Sequence, residues 1–415
     1  MLIRIVCAVA LAGACSSLFA ADAPPLTMEE AVDRALAANP SLGAGQAAID
    51  AAEQQARLDA LAPPLTIGAE VENFAGTGNL SGFDDAEFTL RVGKVFERGG
   101  KRDARQVLGA SRVAVLGNEV ERRKLDLIRD AKHRFVNVAA QQALLQLAEQ
   151  ESALARETRE AVAYRVKRGA SPEADLSLAD LAVARAELDA EDLEHDLESA
   201  RVALSVLWQE REPDYAEVAG SLIETPGLPA FDELARRLGA GPDQEKFAVE
   251  AARLEAERRL AEAGRTPDVQ GTLGVRRLEA FDDQALVLSL ALPVGLGPRS
   301  DLAIARGRAE SAELVARREA TELERYRTLF ATYQELRHAR HELDVLRDKM
   351  IPSGERALEL ASRGYDEARY SFLQVSAARS VLHSLHKDRI AAAARYHRLL
   401  ADLERATGAS GVSIP

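Results

Sequence analysis

Cysteine is almost missing from this chain: Cys7 and Cys15 are the two it has in 415 residues, and both lie within the first fifteen. Beyond that point no disulfide, thiol nucleophile or thiolate metal site can be built. Aromatic residues make up only 5%, while Ala, Leu, Glu and Arg abound, the composition of long helices packed side by side. No apolar run reaches the roughly 20 residues that a helix needs to cross a bilayer; the run from Ile5 to Ala14 is too short. Any membrane contact must therefore come from strands. The motifs of common enzyme chemistry are absent as well, with no GxSxG, HExxH, P-loop or GxGxxG followed by an acid, and no pattern that would hold a cofactor. A formal net charge of −13 argues against nucleic acid as a partner.

What is present is strand alternation in two places. Leu65, Ile67, Ala69 and Val71 share one face, and Thr66, Gly68, Glu70 and Glu72 the other. After a turn-rich stretch from Asn73 to Asp85, Phe88, Leu90, Val92 and Phe96 alternate with Glu87, Thr89, Arg91 and Gly93, and Gly99-Gly100-Lys101-Arg102 ends the strand. The pattern recurs from Pro267 to Pro293, where Val269, Leu273 and Val275 alternate with Gln270, Thr272 and Arg276 before Leu286, Leu288, Leu290 and Leu292. A hairpin alone is marginal. Strands of this length with one apolar and one polar face suit a transmembrane β-barrel, with the leucines of the last strand toward lipid.

Each hairpin leads into a long helical stretch, so the chain reads as two copies of one unit. Residues 1–20 form an export signal, with Arg4 ahead of the apolar run and small residues before Ala20; lipidation of Cys15 is the alternative, although Ala12 stands where a lipobox has Leu. The first repeat spans 21–212, a proline-marked linker 213–230, the second repeat 231–407 and a tail 408–415. Helix from Leu26 to Leu61 is expected, with Thr27 and Glu30 as a capping box and Asn39-Pro40 as an interruption. From about Gly100 to Arg168 the helix should run roughly 100 Å at about 1.5 Å per residue. Its seam takes in Ile128, Ala131, Phe135, Val138 and Leu145, broken at Gln142, and the returning helix carries Leu193, Leu197, Ala200, Leu204 and Leu207, an antiparallel coiled-coil hairpin. In the second repeat, helix is expected over Phe231 to Ala263 with a break near Gly239 to Pro242. Leu329, Leu336, Leu343 and Met350 then recur seven apart, Pro352 should kink the helix, and Ala392, Tyr396, Leu399 and Leu403 line the return.

These residues carry a resemblance. The repeated architecture is similar to that of the TolC-like outer-membrane efflux protein family (OEP), and Glu72-Asn73-Phe74-Ala75-Gly76-Thr77-Gly78, Ser81-Gly82-Phe83, Glu87 and Gly99-Gly100-Lys101-Arg102 resemble its heavy-metal, CzcC-like branch. The resemblance implies a mainly α fold with a small β part: helical hairpins forming a periplasmic α-barrel, and two β-hairpins per chain contributing to a trimeric transmembrane β-barrel in the cell outer membrane. It implies a passive channel of a tripartite RND-type efflux system, with itself, a periplasmic adaptor, an inner-membrane pump and outer-membrane lipid as partners, exporting divalent metal cations such as cobalt, zinc or cadmium. A channel for drugs or organic compounds is the alternative within the family, and a soluble periplasmic coiled-coil scaffold the alternative outside it.

The resemblance also places an adaptor-docking tip at Arg168, Gly169, Ala170 and Ser171, with Arg369, Tyr370 and Ser371 at the second turn, where Ala368 replaces the family's usual Gly. Gly169 equally serves to end a helix in a left-handed cap. The family's acidic mouth positions are here Gln374 and Ala377, so negative charge near the mouth falls to Asp175 and Asp180, or these two are merely solvated. His338 and His341, like His383 and His386, stand one turn apart and could chelate a divalent ion, but the first pair lies off the Leu336/Leu343 seam, and no metal site is assigned.

Overall fold

The computed structural model of the protein describes residues 24–367 and 369–408. The export signal, both cysteines, Ala368 and the tail beyond Gly408 lie outside the described residues. The chain divides into two compact units. One takes the described residues up to Pro40, Lys124–Leu238 and the chain from Tyr326; the other takes Ser41–Arg123 and Gly239–Arg325. Each unit thus draws on both sequence repeats.

The second of these units holds the sheet. Helix α1 (Met28–Ala38) belongs to the other unit, and α2 (Pro40–Asp59) leads into β1 (Thr66–Glu72) and β2 (Glu87–Phe96). After α3 (Lys101–Lys167), α4 (Glu173–Ser205), α5 (Phe231–Arg237) and α6 (Pro242–Ala263) come β3 (Val269–Leu278) and β4 (Asp283–Ala291). The four strands make one antiparallel sheet in the order β1-β2-β3-β4, so the two hairpins pair directly across the repeats. Register puts Ile67 opposite Val92, Leu90 opposite Val275 and Leu273 opposite Leu288, which aligns every apolar row on one face. Leu292 lies one residue past the end of β4 and is exposed, outside the strand row expected for it. Gly99 and Gly100, at φ of +75° and +72°, turn the chain from β2 into α3; a side chain at Gly99 would run into Thr266.

The helical unit is built around α3. Ion pairs Arg156–Glu187 and Arg159–Asp180, each 2.8 Å, fix α4 antiparallel to it. On another side α9 (Phe372–Thr407) also runs antiparallel to α3, through Lys132–Glu404 at 2.5 Å, Arg405–Asp126 at 2.6 Å and Arg379 donating to Thr158 Oγ1 at 2.8 Å. Phe135, Val138, Leu204 and Tyr396 are fully buried along these seams. Gln142 interrupts the apolar row because its Oε1 accepts the backbone N–H of Val218 in the linker. The same linker is held by Tyr396, whose hydroxyl donates to the Pro226 carbonyl at 2.7 Å, and by His397, whose Nε2 lies 3.0 Å from the Leu222 carbonyl.

Two details depart from the sequence reading. At the first helix Thr27 Oγ1 accepts from the Glu30 N–H, but the Glu30 carboxylate pairs with Arg34 instead of closing a capping box. More consequentially, α7 (Gly297–Val345) passes through a π turn at Leu346–Met350 into α8 (Ile351–Asp366). Pro352 lacks the N–H that would bond four residues back, and the widened turn absorbs the mismatch without a break. The extra residue rotates Met350 out of the seam to 43% exposure, and Leu346 and Ile351 take its place.

Candidate functional site

The sheet presents two chemically opposed surfaces. On one, Ile67, Leu90, Val92, Leu273, Val275, Leu286, Leu288 and Leu290 are all exposed, Leu288 at 73%. An apolar face of this extent on a free sheet demands a partner. On the other, Arg276 spans three strands: its Nε donates to Thr89 Oγ1 at 2.9 Å, its Nη2 to Glu72 Oε2 at 2.7 Å and its Nη1 to Glu87. Nearby Arg91 pairs with Glu70 at 2.7 Å. Thr66, Gly93, Gln270, Thr272 and Ser289 complete this hydrophilic lining of a concavity of about 450 Å³. At Gly274 a Cβ would collide with the Leu90 carbonyl oxygen, so this position has to remain glycine for the strands to pair closely. At the strand ends away from the helices, Phe74 stacks on Phe83 with centroids 5.6 Å apart in the turn that carries the NFAGTG stretch.

In the helical unit the two predicted tips come together. Helix α3 ends in a Schellman arrangement: the Ala170 N–H bonds the Arg165 carbonyl at 2.9 Å, the Gly169 N–H bonds Val166 at 2.9 Å, and Gly169 sits at φ +70°. Arg168 lies over the Tyr164 ring. At the second turn the N–H groups of Arg369 and Tyr370 both reach the Gly364 carbonyl, Tyr370 packs over Gly364, and Ser371 caps α9 in a box with Gln374. Arg369 pairs with Glu367. Joining the turns is Tyr365, which the sequence reading did not single out. Its hydroxyl shares a hydrogen bond with Ser171 Oγ at 3.2 Å, Arg165 stacks on its ring at 4.2 Å, and the ring meets Phe372. Val162, Ala179 and Phe372 form the small core beneath. Position offered a signal: Tyr365 stands three residues before Ala368, the match of Gly169.

Of the two candidate mouth acids, Asp180 is ion-paired with Arg159, while Asp175 lies in the first turn of α4, where a carboxylate favours the helix N-terminus. Above the tips a cleft of about 440 Å³ opens between α3, α4 and α9, lined by Glu151, Asp189, Arg379, His383 and Lys387 among others. Burial raises the Glu151 carboxyl above its usual range and lowers the His383 imidazole. His383 Nδ1 lies 4.0 Å from Glu151 Oε2 and has no hydrogen-bond partner. His338 and His341 are exposed, and among the described residues no group of three or more His, Cys, Asp or Glu side chains could hold a metal ion. Nor is any described helix long and apolar enough to cross a membrane.

A sequence model of the family described as "Outer membrane efflux protein" matches residues 31–209. The cobalt-zinc-cadmium resistance protein CzcC of Cupriavidus metallidurans is 27% identical over 370 residues, 87% of this chain and 84% of that protein. The first repeat of the chain thus resembles the outer membrane efflux protein family, and most of its length resembles CzcC. Solved structures carry the same fold: a membrane protein from Pseudomonas aeruginosa superposes with a TM-score of 0.75 at 18% identity, covering 92% of this chain and 90% of that one. CusC does so with a TM-score of 0.73 at 16% identity, covering 92% of each. At one end of the sheet β2 runs into α3 and β4 toward α7, which makes this its helix-bearing end.

Proposed function

We propose that this chain is an outer membrane efflux protein, the exit channel for divalent heavy-metal cations, such as cobalt, zinc or cadmium, in a tripartite system. The observation that carries the choice of cargo is the likeness to CzcC along 87% of the chain, reinforced by the NFAGTG and GGKR stretches in the first hairpin. The rest of the assembly follows from physical need. Four strands leave β1 and β4 as open edges, and a membrane-embedded sheet cannot leave backbone groups unpaired. A homotrimer contributing twelve strands closes the barrel, with the apolar face toward lipid and the Arg276/Arg91 face toward water. The joined tips, with Arg168 exposed beside the Gly169 cap and Arg369 exposed at the second turn, supply a docking surface for a periplasmic adaptor and, through it, the inner-membrane pump. A conduit needs no tight ligand, since strong binding would slow release.

The test is metal accumulation. Cells lacking the gene, but retaining the cognate pump and adaptor, should accumulate cobalt, zinc or cadmium, measured by elemental mass spectrometry, and lose the excess when the chain is restored. Restored export of organic toxicants with no change in metal content would overturn the assignment.

A further inference from the structure

The apolar face of the sheet carries only two charged strand residues, and they differ in one respect. Arg277, at the end away from the helices, is neutralised within the chain by Glu279 at 2.8 Å and by Asp282. Lys94, at the helix-bearing end, which is periplasmic in the proposed channel, is exposed and has no acidic partner among the described residues; its Nζ lies 5.5 Å from the centroid of the Phe96 ring. Four residues on, Arg98 is also exposed and also lacks an acidic partner among the described residues. Carboxylates are close in sequence but engaged elsewhere. Glu97 is held by Arg105 in a two-pronged contact of 2.6 and 2.8 Å. Asp268 accepts from Lys101 Nζ at 2.8 Å and from the backbone N–H of Arg98 at 3.1 Å. That last bond fixes the Arg98 backbone while leaving its guanidinium unpaired. Phe96 stands between the two cations in sequence, and its ring and the Leu290 side chain both close over the bare backbone of Gly271, the residue opposite Lys94.

We propose that Lys94, Phe96 and Arg98 form a binding site for the phosphate of an anionic phospholipid headgroup at the periplasmic margin of the sheet, the aromatic ring supporting the glycerol and upper chain. The site rests on the reading that this face meets lipid. Two cations at one margin of an apolar face match the charge and the depth of a phosphate layer, since long basic side chains lie along apolar surface and place their charge at the interface. The opposite margin, internally neutralised, makes no such demand. In the assembled channel the site would fix the height of the sheet in the membrane and give the protein a preference among phospholipids.

The test uses the full chain reconstituted in mixed vesicles of phosphatidylglycerol and phosphatidylcholine, with dibrominated chains on one lipid or the other. Phe96→Trp serves as reporter at the site and Leu288→Trp as reporter at mid-band, each read as quenching beyond that of the parent protein, which holds Trp208 alone. The expected result is a preference for brominated phosphatidylglycerol at the first reporter of roughly fivefold per cation, lost on adding Lys94→Gln and Arg98→Gln, with the second reporter quenched equally by both lipids. Equal quenching by both lipids at the first reporter, with or without the added substitutions, overturns the headgroup site and leaves the lipid-facing sheet standing. Absence of quenching at both reporters overturns the lipid-facing reading and the site with it.

Discussion

Ser171 Oγ and Tyr365 OH lie 3.2 Å apart, and through this pair the turn of the first repeat is bonded to the last helical turn of α8 in the second. Arg165 covers the same tyrosine ring and Phe372 borders it. The two turns therefore offer one joined surface, and what perturbs Tyr365 should loosen both.

Tyr365→Phe removes the hydroxyl and keeps the ring. A lost hydrogen bond of this kind costs about 1 kcal/mol, so amide exchange at Arg369 and Tyr370, whose N–H groups are held by the Gly364 carbonyl, should quicken by roughly fivefold. Tyr365→Ala also removes the ring from Val162, Ala179 and Phe372 and should free the turn much further. Indistinguishable exchange in wild type and Tyr365→Phe would mean that water serves the hydroxyl as well as Ser171 does.

The sheet faces make a paired prediction. Leu288 stands opposite Leu273 on the apolar face and Ser289 opposite Thr272 on the hydrophilic one. Leu288→Arg should cost about 2 to 4 kcal/mol at the bilayer midplane and depress the yield of heat-resistant outer-membrane assembly, whereas Ser289→Arg should be much milder. Equal yields would show that the two faces are exchanged or that neither meets lipid.

Much of this was readable in advance, for a local reason. Two-residue alternation around Ile67 and Leu288, and the glycines at Gly99 and Gly169, act over a few positions, so periodicity and turn chemistry expose them. Features set by distant partners were not readable. Gln142 looks like a flaw in a seam until the Val218 N–H is seen to need it. Met350 continues a heptad that the π turn before Pro352 then displaces. The adjacency of β2 and β3 joins residues about 180 positions apart, Leu90 with Val275 for one, and no local pattern specifies which hairpin edges meet. Tyr365 belongs to the same class, since its role depends on Ser171 lying across the tip.

Acid should weaken the helical unit through His397. Burial lowers the pKa of this imidazole below its ordinary value of 6.5, outweighing the hydrogen bonds to the Leu222 and Glu224 carbonyls that raise it. The folded state thus prefers the neutral ring. Its contribution is fully present above the unfolded pKa of about 6.5 and is lost as pH falls through that value toward the lower folded one, because the unfolded chain binds the proton first. His397→Gln keeps a donor for the Leu222 carbonyl and removes the titration. The drop in melting temperature between pH 7.5 and pH 5 should therefore be smaller in the variant, and an identical drop in both would assign the acid sensitivity to other groups, with His383 and His386, also lowered by burial, next in line.

The tip provides the sharpest separation of fold from function. Gly169 holds φ +70°, and a Cβ built there meets no atom within 4 Å. Gly169→Ala therefore carries only the backbone cost of a left-handed residue, about 1 kcal/mol, in a turn already closed by the Ala170 and Gly169 N–H bonds. Gly169→Trp carries the same cost, and its ring projects into open space instead of into the protein. Both variants should reach the membrane in equal amounts and melt within a few degrees of each other. If the turn is the adaptor contact, the tryptophan occupies that surface and metal tolerance in cells with the complete pump should collapse, while the alanine variant keeps most of it. Gly364→Ala is the contrasting case, because its Cβ would strike the Tyr370 ring and must disturb the second turn itself. Export lost in Gly364→Ala but preserved in Gly169→Trp would move the contact to Arg369, Tyr370 and Ser371, and export preserved in both would remove the tips from docking altogether.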